Sequence, residues 1–388
     1  MPGRLMNCCR YALILGAFTG CAVKAKTQET GRVPIILPAR DDMTLKNSRA
    51  QPPGSFPLEL AKPILALQQA GYYQVEVTPP NGREPVVAPL RDDPRWCQDK
   101  GNRTLEIVNQ TRVNVRELSG LARTRMKGRD TLVAVGDHDR TIALLPVRDN
   151  FAAGDAAICL GSEPDPSVMT QHSEWEAGAC DGRGRSFIGR EDPPVVIVIE
   201  PRGRGRIATI GLKVEGTGDL AALWHTNASA RVEGLILLVN GHLLVTKQSH
   251  PPALMEFAPA GAAAEGIRPD LWLGPEQEFP LPGKGDPDFF LVKHWVLAEA
   301  GELDDLSELA TDRNGQLYLL SGKSQRIARV TLPLDTEDGA FHLARIWDLP
   351  GSLAKPEGLV IGADGGPLVG LDIKGPHANL YRLSPLYR

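Results

Sequence analysis

The sequence predicts an all-β chain: a five- or six-bladed β-propeller preceded by a signal peptide, a polar tether and one short helix. Two observations carry this. Five stretches repeat one pattern, in which a short apolar strand opens on an acidic or hydroxyl residue and two further apolar strands follow across turns. The 388 residues also hold 40 Gly and 32 Pro, and little helical periodicity follows residue 72, which suits a chain of many strands and turns.

The N-terminus reads as an address. Arg4 and Arg10 precede a short apolar run, Tyr11 to Thr19, and Gly20-Cys21 follows. The run is too short for a membrane-spanning helix and has the layout of a secretory signal. Phe18-Thr19-Gly20-Cys21 resembles a bacterial lipobox, which implies cleavage after residue 20 and acylation of Cys21. Residues 1–20 are then the lipoprotein signal peptide and 21–55 a polar tether. Residues 56–71 form a short helix, with Pro63 in its first part and Gly71 at its end. The expected location is the bacterial cell envelope, lipid-anchored at the outer membrane and facing the periplasm.

The propeller is expected over 56–388, with recognisable repeats over 115–388. The repeats open at Ser119, Glu176, Glu233, Ser307 and Glu357, at spacings of 57, 57, 74 and 50 residues. A period near 50 with several strands per unit points to stacked blades around an axis, which also hides the sheet edges. Residues 72–117 supply a sixth blade or only the strand that closes the ring. The last repeat is short, and an N-terminal strand completes it. The 24 surplus residues before the fourth repeat form an inserted hairpin or cap over one mouth.

If the opening strand of each repeat is innermost, Glu176, Glu233 and Glu357 surround one axis, with Ser119 and Ser307 in the same ring and Glu308 beside it. Converging carboxylates repel unless a cation joins them, and calcium accepts such oxygens in flexible geometry. Alternatively Lys247 and Lys374 neutralise the ring, or each glutamate ties its blade to the next through backbone N–H groups. The tips of the second strands, Asp137, Glu191, Lys247, Ser321 and Asp372, are read as the channel mouth. Asp137-His138-Asp139 reads as a solvated turn, and Arg183, Arg185, Arg190, Arg202, Arg204 and Arg206 as either an anion-binding patch or a solvated surface. After cleavage, Cys97, Cys159 and Cys180 remain besides Cys21. They allow three pairings, of which Cys159–Cys180 closes a short loop, or they stay as buried thiols.

The ending DLSELATDRNGQLYLLSGKSQRIARVTL and KPEGLVIGADGGPLVGLDIKGPHANLYRL, with VEGLILLVNGHLLVTKQSHPPALMEF in the middle, resembles SdiA-regulated family propellers and the related esterase-like domains of phytases. The resemblance covers roughly residues 115–388. It implies a propeller, an exported location and calcium binding, with acidic residues at the second-strand tips. Here Lys247 and Ser321 depart from that pattern.

The formal net charge of −4 excludes a chain-wide basic surface, so nucleic acid is not expected as a partner. No G-x-S-x-G elbow, H-E-x-x-H helix, phosphate-binding GxxxxGK[ST] loop or paired C-x-x-C is present. The leading expectation is a lipid-anchored module that binds an envelope protein or a small anionic ligand. The alternative is a calcium-dependent ester or phosphoester hydrolase using the axial carboxylates.

Overall fold

The computed structural model describes residues 20–26, 32–38, 74–78, 86–89 and 103–387, apart from 127, 138–140, 149–150, 153–173, 202–204, 217, 284 and 300. The chain divides into two units, Met1–Gly101 and Asn102–Arg388. In the first, β1 (Gly20–Lys26), β2 (Arg32–Pro38), β3 (Gln74–Thr78) and β4 (Val86–Pro89) form one antiparallel sheet in the order β2-β1-β3-β4. Two of these strands fall within the segment read as a polar tether. Residues 1–19 of the expected signal peptide and the helix expected over 56–71 lie outside the described residues.

The second unit begins with β5 (Arg103–Thr104) and β6 (Ile107–Thr111) and then lays down five blades in chain order. Blade one is β7 (Leu118–Met126), β8 (Arg129–Gly136), β9 (Ile142–Arg148) and β10 (Phe151–Ala152). Blade two is β11 (Trp175–Cys180), β12 (Ser186–Arg190), β13 (Val195–Ile199) and β14 (Arg206–Lys213). Blade three is β15 (Gly234–Leu237), β16 (Leu243–Lys247), β17 (Ala253–Pro259) and β18 (Asp288–Leu297). Blade four is β19 (Glu308–Thr311), β20 (Leu317–Ser321) and β21 (Arg326–Val330), followed after the short β22 (Ala340–Phe341) by β23 (Leu343–Asp348). Blade five is β24 (Pro356–Ile361), β25 (Pro367–Leu371) and β26 (Leu380–Leu383), and its fourth strand is β6, paired antiparallel with β26.

The described residues of the second unit therefore form a five-bladed propeller. The strand preceding blade one closes blade five, so the two ends of the unit are joined by hydrogen bonds rather than left as edges. The innermost strands complete a ring, β7 packing on β11, β11 on β15, β15 on β19, β19 on β24 and β24 on β7. Outer strands stitch neighbouring sheets in parallel, β14 to β18, β18 to β22 and β23 to β5.

One apolar core fills each interface between blades. Trp175, Ile188 and Val133 lie between blades one and two; Phe187, Val245 and Phe257 between two and three; and Leu244, Trp295 and Leu319 between three and four. Tyr318, Trp347 and Leu359 lie between four and five, and Leu121, Leu132 and Val360 between five and one. Burying one such side chain stabilises by roughly 1.5–3 kcal/mol. Consecutive strand residues feed opposite interfaces because the side-chain period is two.

A helix not expected from the sequence, α1 (Asp219–Thr226), joins blade two to blade three. Its apolar face is narrow, only Ala221 and Trp224 being buried, so its two turns leave little periodic signal. Its last carbonyls, those of Trp224 and His225, accept hydrogen bonds from Arg231. Among the described residues no helix is long and apolar enough to cross a membrane.

The surplus residues before blade four lie between β17 and β18, as a strap over 260–287 with little regular structure. Leu271 O and Leu237 O accept from Val239 N and Leu273 N, which seats the strap on the far end of β15. Trp272 Nε1 donates to Gly315 O at 2.8 Å in blade four. On blade two, Asp181 is fully buried and accepts from Arg185 Nε at 2.7 Å and from the strap's Phe279 N at 3.2 Å. Gly182 lies so close beneath the strap that a Cβ there would stand 2.2 Å from the Glu276 carbonyl carbon.

Candidate functional site

The five innermost strands start at one end of the channel, and three of them start with a β-bulge. The register skips one residue between Leu118 and Gly120, between Trp175 and Ala177, and between Pro356 and Gly358. The extra residue is Ser119, Glu176 or Glu357. A bulge adds an unpaired residue and re-aims its side chain, which singles out this position in each repeat. In blades three and four, Glu233 and Ser307 stand immediately before their strands, their N–H groups donating to Thr246 O and Leu320 O. Where a glycine follows, in blades one, three and five, it permits close approach: a Cβ on Gly120 would meet Glu176 O at 3.0 Å, and one on Gly234 would meet Leu309 N at 2.7 Å.

Blades one, two and five bring their carboxylates together. Oxygens of Asp137, Glu174 and Glu176 lie within 4.8 Å of one another, and so do those of Glu117, Asp137 and Asp372. Burial raises the Glu176 carboxyl well above the usual carboxylate range, and the nearby Glu357, Asp137, Glu191 and Glu174 push it further. Burial also pushes Glu357 up to about 8, with Asp372 adding to the rise and Lys355 opposing it. Glu233 is raised by burial and then by Glu176 and Glu191; in its protonated form it donates to Glu191, itself pushed by burial up to about 7. These groups share one end of the channel because each side chain opens an innermost strand, stands just before one, or follows the end of the strand paired with it.

Not all the expected site residues have this role. The Ser119 hydroxyl donates to Trp175 O and ties blade one to blade two. Ser307 Oγ accepts from Gly322 N at 3.1 Å, while Ser321 Oγ donates to Asp305 Oδ1, a closed knot within blade four. Glu308 is fully buried inside the channel and accepts from Leu309 N at 2.9 Å and Leu121 N at 3.2 Å, with Leu235 N as a further donor. It pins blades one, three and four together, although burial still raises its carboxyl. Lys247 is fully buried, donates to Ser249 O and is lowered by burial. Cations that meet the acids include Lys374, 2.8 Å from Glu117, and Lys355, 2.5 Å from Asp372.

Two tips are displaced by one residue from the sequence reading. In each blade the residue after the opening position pairs two residues ahead of the tip: Gly120 with Val135, Ala177 with Gly189, Gly234 with Thr246, Glu308 with Leu320, and Gly358 with Gly370. The counterparts of Asp137, Glu191 and Asp372 are therefore Gln248 and Gly322, not Lys247 and Ser321. A shift of one residue turns a side chain to the other face of its sheet. Lys247 accordingly shares a face with Leu243 and Val245, toward blade two.

Sequence reasoning missed a second column two residues before the first: Glu117, Glu174, Arg231, Asp305 and Lys355. The signal was present as a charged, apolar, column-residue triplet in every repeat (ELS, EWE, RVE, DLS, KPE), since residues two apart on an extended chain share a face.

The expected Cys159–Cys180 pair is described at one member only. Cys180 is a free thiol at the end of β11, its sulfur 3.9 Å from Ser186 Oγ, and burial pushes it up to about 12. Cys159 itself lies outside the described residues, as do His138, Asp139, Arg202 and Arg204. The other arginines of the cluster are engaged within the molecule. Arg183 pairs with Glu278 and Arg206 with Asp286, both acids on the strap, while Arg185 pairs with Asp181 beneath it. Arg190 reaches the Pro193 carbonyl.

No protein family profile matches the chain, and no curated protein does. Solved structures give distant likenesses. A streptogramin B lyase is 13% identical over 80% of this chain and 72% of its own, with a TM-score of 0.31. A putative gluconolactonase is 12% identical over 82% of each chain, with a TM-score of 0.36. A luciferin-regenerating enzyme is 11% identical over 81% of this chain and 85% of its own, with a TM-score of 0.33. The propeller assignment rests on the strand pairing and the closed ring, not on these scores.

Proposed function

We propose that this protein is a binding propeller of the bacterial envelope, lipid-anchored through Cys21, whose acidic mouth takes a hard divalent cation of the calcium class and through it an oxygen-bearing ligand. One observation carries the cation. Asp137, Glu174 and Glu176 offer carboxylate oxygens within 4.8 Å of one another. That spread is about twice a calcium–oxygen bond of roughly 2.3–2.6 Å, so three oxygens can share one ion. The donor set is all oxygen, which suits calcium or magnesium better than a soft metal. Lys374 and Lys355 serve Glu117 and Asp372, and among the described residues no lysine or arginine pairs with Glu174 or Glu176. The resemblance to SdiA-regulated family propellers supports the same reading, as does the signal-like N-terminus.

Equilibrium dialysis of the full chain against calcium, with elemental analysis, tests the proposal. The expected result is one ion per chain, lost in Asp137→Asn and Glu176→Gln. Calcium at background in the unmodified protein would remove the reading.

A second reading, hydrolysis of an ester or phosphoester, is favoured by the protons held beside this triad. Glu191 at about 7 and Glu357 at about 8 are placed to hold or release a proton near neutral pH. The bound cation would polarise a carbonyl or phosphoryl oxygen. The chain's own part is to orient the substrate at the mouth and move a proton at the Glu191 or Glu357 carboxyl. A chromogenic ester and phosphate panel, run with and without chelator, separates the readings. Turnover abolished by chelator and by Glu357→Gln supports hydrolysis, and no turnover with intact calcium binding leaves the binding module.

A further inference from the structure

The other half of the channel is built differently from the acidic mouth. It holds a cavity of about 140 Å³ walled by residues 121–123, 178–180, 235–237, 309–311 and 359–361, three in succession from each innermost strand, and by Trp272 and Leu273 of the strap. Three successive residues can all face one space only through their main chain, since alternate side chains leave in opposite directions. The cores show where those side chains go. Leu121 lies between blades five and one and Ala122 between one and two; Leu309 lies between three and four and Ala310 between four and five. Each innermost strand has a hydrogen-bonded neighbour on its outer edge alone. The wall is therefore a ring of five strand edges whose N–H and C=O groups need partners. Glu308 satisfies three of the N–H groups.

The wall carries little charge. Arg123 is 2.6 Å from Asp130 on its own blade, and the carboxyl that reaches the wall, Glu308, is held by three of its N–H groups. The strap adds an apolar indole and a leucine. A cavity of about 150 Å³ is large enough for a benzene ring.

We propose that this chamber is a second binding site, for a small uncharged ring-sized molecule bearing both a hydrogen-bond donor and an acceptor, such as a cyclic amide. The strand edges pair with its polar groups, and Trp272 and Leu273 cover its apolar frame. An ion is disfavoured because the ionisable groups at the wall, Arg123 and Glu308, are already engaged. The site lies at the other end of the channel from the acidic triad and does not depend on a cation there.

The full chain, kept in chelator, is titrated with 2-pyrrolidone, pyrrolidinium and propionate, alike in size and differing in charge, and binding is followed by saturation-transfer NMR of the probe. The expected result is saturable binding of 2-pyrrolidone in the millimolar range, at least five-fold tighter than either ion and lost in Trp272→Ala. A structure of the unmodified protein with 2-pyrrolidone is the second readout and places the ring among the five strand edges. No saturable binding of 2-pyrrolidone up to 100 mM, equal binding of the ions, or a ring bound elsewhere overturns the proposal.

Discussion

The two ends of the channel are made from the same five strands and have opposite character. At the acidic end, bulges and strand-starting positions turn side chains toward the axis, and burial with mutual repulsion raises Glu176, Glu233 and Glu357. At the far end the strands run regularly, side chains leave sideways into the cores, and only main chain faces the axis. The chemistry of a propeller axis is thus set by where each strand departs from regularity. Between the ends stands Glu308, a carboxylate used as a fastener.

The strap that closes the far end offers the largest way to break this contrast. Asp181→Ala removes a buried partner of Arg185 and of Phe279 N, leaving an uncompensated guanidinium. The expected loss is roughly 3–5 kcal/mol, read by urea denaturation. Glu308→Ala is expected to cost less, about 2–3 kcal/mol, because solvent from the chamber below can reach the freed N–H groups. A loss near zero would show that Glu308 does not pin the blades.

The acidic end is expected to answer to pH. Glu191, near 7 when folded and in the ordinary carboxylate range when unfolded, binds more protons in the native state between those values. Its contribution is therefore present at acid pH and lost as pH rises through about 7, and that of Glu357 is lost through about 8. In chelator the protein is expected to be more stable at pH 5 than at pH 8.5, the stability falling through about 7 and again through about 8, and calcium is expected to restore stability at the higher pH. A flat profile in chelator would separate the carboxyls from one another. The smallest effect is expected at the strap's exposed pair: Arg183→Ala changes stability by less than about 0.5 kcal/mol, read by the same denaturation.

Much of this frame was legible in the sequence because each blade is built alike. Ser119, Glu176, Glu233, Ser307 and Glu357 recur since every innermost strand needs the same departure at its start. The closing strand was foreseeable from a last repeat too short to finish its sheet. What escaped had a physical cause. The distance from opening residue to tip is 15 residues in four blades once Gln248 and Gly322 are taken as tips, and 18 in blade one, whose first hairpin is longer. Reading Lys247 and Ser321 instead reversed which face those side chains occupy. The carboxylate of Glu174 comes from the loop before its strand, beyond the apolar pattern used to find strands. The arginines of blade two looked like an external patch because their partners, Glu278 and Asp286, lie some eighty residues or more ahead on the strap.

The claim that the re-aimed acids of blades one and two form a cation site is tested most directly by a crystal structure grown with calcium and read by anomalous scattering. A single peak bonded to Asp137, Glu174 and Glu176 is the expected result. Calcium present in the crystal and bound elsewhere, with these three carboxylates turned apart, would contradict it.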